Sequence, residues 1–387
     1  MKKFVSLMLA AVMVFTLAAC SGSEGSVQTQ PDTAESSGAD ALISSDVQEL
    51  KAHKIGILSH TNSGGCWERI YDAAGYVAKN LNCTTMKAVG SSADQILSEV
   101  ENFIAAGCDG IICMNDGGVT SRLVSLCEES DVYIVFSDCG YAVSEDDDYS
   151  TYNTSPYYCG NVAHDEFADS YTCAEMMINN GAKHPVVFGL APGISNNFDK
   201  RATGAEKAIQ DAGLDVIEVR SNSLAQTAPT IMSQYPDTDA IFSFVTTTDS
   251  FNVDEFVKEY GTDIQISAYM SGDVTDAFEK GFLNYVSVGS EARIEMAFAL
   301  LYNAMTGSRL ADGNGVAPII EYPHLWIDNT DDYKVFYSSV TGGNYAYSFD
   351  EVKEWLNIFG SSPSIEELQK TALAFSADGE GSWIEAH

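Results

Sequence analysis

The chain has 387 residues, 55 of them acidic against 20 basic, giving a formal net charge of −35. A surface of that sign repels phosphate backbones, so nucleic acid is excluded as a partner, and it offers no basic patch to anionic lipid. The nine cysteines form no C-x-x-C and no Cys/His ligand spacing, which argues against a zinc site, and no metal is expected.

Lys2 and Lys3 precede the apolar stretch FVSLMLAAVMVFTL, too short and wrongly flanked for a spanning helix, so residues 1–19 read as an export signal. Leu17, Ala18 and Ala19 directly before Cys20 resemble the lipobox of bacterial lipoproteins, and that resemblance implies Cys20 as the lipidated mature N-terminus. Residues 20–50 are rich in Ser, Gly, Ala, Gln and acidic groups, with too few large apolar residues to offset chain entropy, and read as a flexible tether. The folded part begins near Lys51, and the roughly 330 residues beyond it suffice for two lobes with their own cores.

Strand-like runs then alternate with helical patterns. KIGIL is followed by a helix over 67–81, TTMKAV by one over 94–106, DGIICM by one over 119–129, and then comes VYIVF. In the first helix Trp67, Ile70, Tyr71, Ala74, Val77, Ala78 and Leu81 fall on one face, at the spacing of a helix lying on a sheet. Repeated βα units with apolar strands predict a parallel, doubly wound sheet. Cys108, Cys113 and Cys127 occupy apolar positions of these patterns, where cysteine behaves as a small hydrophobe, and the eight cysteines after Cys20 read as mostly free, buried thiols.

The second half repeats this layout: PVVFGL, a helix over 199–212, LDVIEV, a helix over 224–235, and DAIFSF. The offset is 130 residues, matching Ile57 to Val187, Asp109 to Asp239 and Ile111 to Ile241. The predicted fold is therefore α/β, with two similar doubly wound parallel-sheet lobes joined by a hinge. The hinge strands are expected at 160–167, at 286–291 and near 316–322. The N-terminal lobe is assigned to 51–162 with about 291–315, the C-terminal lobe to 163–290 with about 316–350, and a C-terminal extension to 351–387. Ligands of open parallel sheets bind beyond the carboxyl ends of the strands, which places Trp67 opposite the region of Asn197 to Arg201 across a cleft, with Asn197, Phe198 and Asp199 as candidate contacts and Arg201 belonging more naturally to the helix.

From about Lys54 to Arg309 the chain resembles the type I periplasmic binding proteins, the ribose- and galactose-binding family that delivers solutes to ABC importers. KIGILSHTNSGGCWERIYDAAGYVAKNL opens the resemblance, AAGCDGIICMNDGGVTSRLVSLCEESDVYIVFSD looks like the family's second signature, and YPDTDAIFSF is its counterpart in the other lobe. By this resemblance the first-loop aromatic is Trp67, the polar residues of the first strand region are Ser59 and Asn62, and the acid ending the fourth strand is Asp138. The arginine that often follows that acid is Cys139 here, and the arginine near the start of the second lobe's first helix is replaced by Asp199. Asn115 after a strand, Thr246 after DAIFSF, and Tyr269 with Ser271 after QISA complete the candidate ligand contacts. Each has a plainer reading. Trp67 also lies on the apolar helix face, Asp138 also suits a turn cap, Phe198 suits lobe packing, and Asn-Asp-Gly-Gly at 115–118 is ordinary turn chemistry.

Nothing points to catalysis. The chain has no G-x-x-x-x-G-K-[ST], H-E-x-x-H or G-x-S-x-G, and Cys66 near His60 lacks an orienting third group. SEDDDY at 144–149 reads as a solvated loop, since three adjacent carboxylates cannot converge on one ion. The resemblance implies a lipid-anchored extracytoplasmic solute-binding protein, monomeric and without cofactor. Its partners are expected to be a small polar ligand, sugar or sugar-like in class, the permease subunits of an ABC transporter, and the membrane through its N-terminal lipid. The rival readings are a receptor feeding a chemoreceptor or sensor kinase, and a surface interaction protein without ligand-dependent closure.

Overall fold

The computed structural model describes residues 50–61, 64–140, 142–145, 148–194, 196–245, 252–269, 272–376 and 382–387. The predicted Cys20, Asn62, Thr246 and Ser271 lie outside them.

The first lobe runs β1 (His53–Ser59), α1 (Gly65–Asn80), β2 (Cys83–Val89), α2 (Ala93–Ala105), β3 (Gly110–Cys113), α3 (Thr120–Glu129) and β4 (Tyr133–Ser137). Two single turns follow, α4 (Ala142–Glu145) and α5 (Tyr149–Tyr152), then β5 (Tyr158–Ala163). The second lobe runs α6 (Glu166–Asn179), β6 (Pro185–Gly189), α7 (Asn196–Asp211), β7 (Ile217–Arg220), α8 (Leu224–Gln234), β8 (Ala240–Ser243), α9 (Val253–Tyr260), β9 (Gln265–Tyr269), α10 (Thr275–Glu279) and β10 (Tyr285–Val288). The remainder is α11 (Ser290–Met305), β11 (Ile319–Glu321), β12 (Leu325–Ile327), α12 (Thr330–Ser339), α13 (Phe349–Glu354), α14 (Ile365–Leu373) and α15 (Trp383–Ala386).

Two six-stranded sheets result, ordered β11-β5-β4-β3-β1-β2 and β12-β10-β9-β8-β6-β7. Every described pairing is parallel except that of β12 with β10. All seven residues of the predicted apolar face of α1, from Trp67 to Leu81, are buried. The eight cysteines from Cys66 to Cys173 are buried and form no disulfide among the described residues. Burial raises the Cys108 thiol to about 11 and those of Cys83 and Cys127 to about 12, so these groups stay protonated and pack as hydrophobes.

The 130-residue repeat has a physical counterpart at the base of each sheet. Asp109 accepts the backbone N–H of Lys54 at 2.9 Å, and Asp239 accepts that of His184 at 2.8 Å. Each carboxylate precedes the lobe's third strand and holds the first strand beside it.

The chain passes between the sheets after β5, after β10, and between β11 and β12. The third passage lies later than the expected 316–322, because β11 pairs with β5 in the first sheet, Ile319 opposite Asn161 and Glu321 opposite Ala163. The polypeptide changes lobes only at 322–324, so 316–321 belongs with the first lobe rather than the second.

The described residues of 351–387, expected as an extension, pack into the main apolar core: Val352, Trp355, Leu356, Leu368, Phe375 and Trp383 are buried in one cluster with α1 and α11. The cause is α11, which is buried on every side from Ser290 to Ala304, its charged Glu291, Arg293 and Glu295 included, so it needs a second layer over it. Tyr345 stacks on Tyr76 of α1 at 3.8 Å, while Tyr333 on α12 reaches the second lobe, its hydroxyl donating to the carbonyl of Gly272 at 3.0 Å.

Candidate functional site

The loops at the carboxyl ends of β1, β2, β3 and β4 face those of β6 and β9 across a cavity of about 870 Å³. Of the predicted contacts, Trp67, Asn115, Asp138, Asn197, Phe198 and Tyr269 line it. Two others are placed elsewhere. Ser59 is fully buried behind the wall, its hydroxyl 2.6 Å from both the carbonyl of Thr61 and the hydroxyl of Tyr71. The Asp199 carboxylate turns back to accept the N–H of Gly193 at 2.9 Å, shaping the loop before α7 rather than the cavity.

Trp67 is 6% exposed and meets His60 edge to face, ring centres 4.7 Å apart. It is both a core residue under α1 and a part of the cavity wall. The φ of 103° at Gly64 is the left-handed turn that starts α1 directly after the loop, a conformation glycine adopts without steric cost.

Two arginines decide the electrostatics: Arg201, which the sequence reading left to the helix and not to the ligand contacts, lines the cavity, and Arg293 carried no sequence signal. Arg201, on α7, grips Glu166 of the first crossing with both faces of its fork: Nη2 donates to Oε1 at 2.7 Å and Nε donates to Oε2. Its guanidinium lies 4.1 Å from the Tyr269 ring centre and 5.3 Å from that of Phe198. Burial opposes ionisation of Glu166, but the Arg201 charge, then His164, outweigh it and hold the carboxyl at about 2.

Arg293, fully buried on α11, donates from Nε to Asp138 Oδ1 at 2.6 Å, and Ser290 donates to the same oxygen at 3.0 Å. Asp138 has a φ of 55°, a left-handed conformation that aims its side chain at this pair. The cap reading and the ligand reading of Asp138 thus meet a third role, that of counter-ion at the hinge. No sequence signal pairs residues 138 and 293, which lie on different elements far apart in the chain.

The hinge itself is polar. His164 in the first crossing and His324 in the third lie edge to face at 4.3 Å, and His324 Nδ1 is 2.6 Å from the Ser287 hydroxyl. Burial, followed by His164, Arg293 and Arg201, pushes the His324 imidazole well below its ordinary value. His60, facing the cavity, is lowered by burial and by Arg201 against the opposite pull of Asp138. His164, Glu166 and His324 bring ligand-type atoms within 4.8 Å of one another. Both Glu166 oxygens are already taken by Arg201, however, and Arg293 approaches His324 at 3.4 Å, so a dication there would face two fixed guanidinium charges. The cluster is charge-balanced by arginine instead.

Residues 52–245 match the family model described as periplasmic binding proteins and sugar binding domain of the LacI family. No curated protein sequence matches the chain. Among solved structures, a carbohydrate transporter from Acidothermus cellulolyticus 11B in complex with myo-inositol is similar at 15% identity and TM-score 0.61, over 76% of this chain and 99% of that one. An ABC transporter periplasmic solute binding protein from Actinobacillus succinogenes 130z with bound D-allose is similar at 18% identity and TM-score 0.57, over 73% and 99%. A LacI family transcriptional regulator from Enterococcus faecium with bound ribose is similar at 13% identity and TM-score 0.56, over 71% and 97%. At these identities the likeness carries the fold.

Proposed function

Because the chain belongs to the family of periplasmic binding proteins and LacI-type sugar binding domains, we propose that it is an extracytoplasmic solute-binding lipoprotein that captures a small uncharged polar molecule, sugar-like in class, for an ABC importer. The observation that carries this reading is the pairing of charges in the cleft wall, Arg201 with Glu166 and Arg293 with Asp138. An anionic or cationic ligand would have to compete with these pairs, whereas hydroxyl groups add hydrogen bonds to them at no cost in charge. Closure is then stabilised only when one molecule bridges both lobes.

Import is favoured over gene regulation by the apolar N-terminal stretch, which reads as an export signal, and by a net charge of −35, which repels a phosphate backbone at long range. The apolar N-terminal stretch and Cys20 supply the export route and the anchor in this reading. No residue of the cleft is assigned a catalytic role, since the paired carboxylates and the histidines answer to one another and not to an exposed nucleophile. Native mass spectrometry of the full chain purified from its source should show a small neutral adduct that disappears on denaturation. Preparations that never carry one, and that show no change in scattering radius with any extract of small molecules, would overturn the proposal.

A further inference from the structure

The three passages between the lobes run along one edge of each sheet, that of β11 and β5 in the first and of β12 and β10 in the second. Strands gathered at one edge leave the lobes free to swing apart toward either face of the sheets. The segment after α12 adds a connection far from that edge, beside α1, which leads into β2 at the opposite end of the first sheet.

Both ends of this segment are anchored. On the second-lobe side, the Tyr333 hydroxyl of α12 accepts the N–H of Val274 and donates to the Gly272 carbonyl, each at 3.0 Å. The Tyr333 ring stacks on Phe278 with centres 5.3 Å apart, and Lys334 pairs with Glu279 at 2.7 Å. A few residues later the chain is fixed to the first lobe. Tyr345 stacks on Tyr76 at 3.8 Å, the Tyr347 N–H donates to Glu295 Oε2 at 3.2 Å, and Gln369 of α14 exchanges two hydrogen bonds with the backbone of Glu321 in β11, at 2.9 and 2.8 Å.

Between the anchors the chain is a turn. Asn344 donates its N–H to the Thr341 carbonyl at 3.0 Å and its Nδ2 to the Ser338 carbonyl at 2.9 Å, while Gly342 and Gly343 take φ of 66° and 91°. A turn of this kind keeps its first and last Cα atoms within about 7 Å, whereas three extended steps reach about 11 Å, so the segment lengthens by only about 4 Å before an anchor must break.

The space between the lobes differs on the two sides of α1's first turn. On the side of the segment lies a separate pocket of about 260 Å³, lined by Glu68 and Asp72 of the first lobe, Asp273 of the second, and Gly342 and Gly343. Arg69, also in its lining, is neutralised by Glu291 at 2.7 Å, so the three carboxylates repel one another across the gap and favour opening there. On the other side, the exposed lining residues of the large cavity are Ser91, Ser92, Gly117 and Gly118 of the first lobe and Ile194 of the second. We infer that residues 340–344 are a strap that holds the lobes together on the α1 side against this repulsion, so that they swing apart only toward the side of Ser91, Gly118 and Ile194.

Small-angle scattering of the full chain without ligand tests the strap. Four and then eight Gly/Ser residues inserted between Gly342 and Gly343 lengthen it at little cost in folding, since loop-closure entropy grows slowly with length. The radius of gyration is expected to rise with the insertion, by roughly 1 Å for the longer one on the about 20 Å of a compact body of this size. The longer insertion placed instead between Gly313 and Asn314, exposed residues in a turn of the first lobe, is expected to leave the radius at the native value. Tyr345→Ala frees the strap from α1 without lengthening it and is expected to shift the radius in the same direction, which keeps the test open should an insertion fail to fold. A native radius in the strap insertions or, where these do not fold, in Tyr345→Ala overturns the inference, as does an equal rise with the insertion at Gly313. No ligand enters this comparison, so solute capture is judged separately by the native mass measurement.

Discussion

Trp67 touches His60 on one side and the α1 core on the other, so its loss acts on folding and on binding together. Trp67→Ala is expected to cost roughly 3–5 kcal/mol of stability, as for other large aromatic truncations in a core. It should also weaken ligand binding by roughly ten- to a hundred-fold, from the apolar contact removed. Urea denaturation and titration of the same preparation separate the two effects. Intact affinity with lowered stability would reduce Trp67 to a core residue. His324 gives a pH test. Its folded value lies well below the ordinary 6.5, so as pH falls through that value the unfolded chain takes up the proton first and unfolding gains. The stability is present above about pH 6.5 and declines below it by at most about 1.4 kcal/mol per pH unit for this one group. His60 works in the same direction, while Asp169, raised by burial, works in the opposite one. His324→Gln should therefore show a smaller drop in urea midpoint between pH 7.5 and pH 5.5 than the native chain, and an equal drop would remove His324 from the account.

At the scale of elements, α6 and α7 approach so closely that Gly204 has no space for a side chain: a Cβ there would lie 2.2 Å from both the Phe167 carbonyl oxygen and the Ser170 hydroxyl. Backbone on the opposing helix cannot give way as a side-chain tip does. Gly204→Ala is expected to destabilise by roughly 1–3 kcal/mol. Gly75, in the middle of α1 with open space around its would-be Cβ, supplies the contrast, and Gly75→Ala should stabilise by roughly 0.5–1 kcal/mol through helix propensity. Thermal melting of the two variants should move in opposite directions. A common direction would mean that the α6 to α7 contact relaxes. The amphipathic period of α1 and the strand runs on either side of it were readable from spacing alone, because a half-buried helix and a fully buried strand impose different periods on the chain. The uniform burial of α11 was not, since its charged Glu291, Arg293 and Glu295 read as a solvent-facing side, and its cover comes from Trp355, Leu368 and Phe375 much later in the sequence.

For the whole molecule, the described residues from Leu50 onward form one compact unit, and no described helix is long and apolar enough to cross a membrane. In the proposed function the attachment to the membrane is carried by Cys20 and its lipid. Cys20→Ser should release the protein into the medium, read by fractionation and immunoblotting, and undiminished membrane retention would argue for another anchor. One acyl chain binds only marginally, so the proposal also requires the modified residue to carry more than one.

The order of strands and helices, the two-lobed α/β plan and the 130-residue repeat were determined by the sequence itself, because local burial sets the hydrophobic period and equal periods at equal spacing fold alike. The same holds for Trp67, Asn115, Asn197 and Phe198 as cavity-lining residues, since the loops at strand ends of a parallel sheet have only one edge on which to gather. Only the tertiary structure decided the partners inside that wall. Asp138 meets Arg293, and Arg201 meets Glu166, because the hinge brings together elements that are distant in sequence. Ser59 turns to Tyr71, and Asp199 to Gly193, because the nearest donor or acceptor in space satisfies a buried or partly buried polar group first. A residue's type shows which bonds it can make, while the bond it does make depends on what the fold sets within about 3 Å of it.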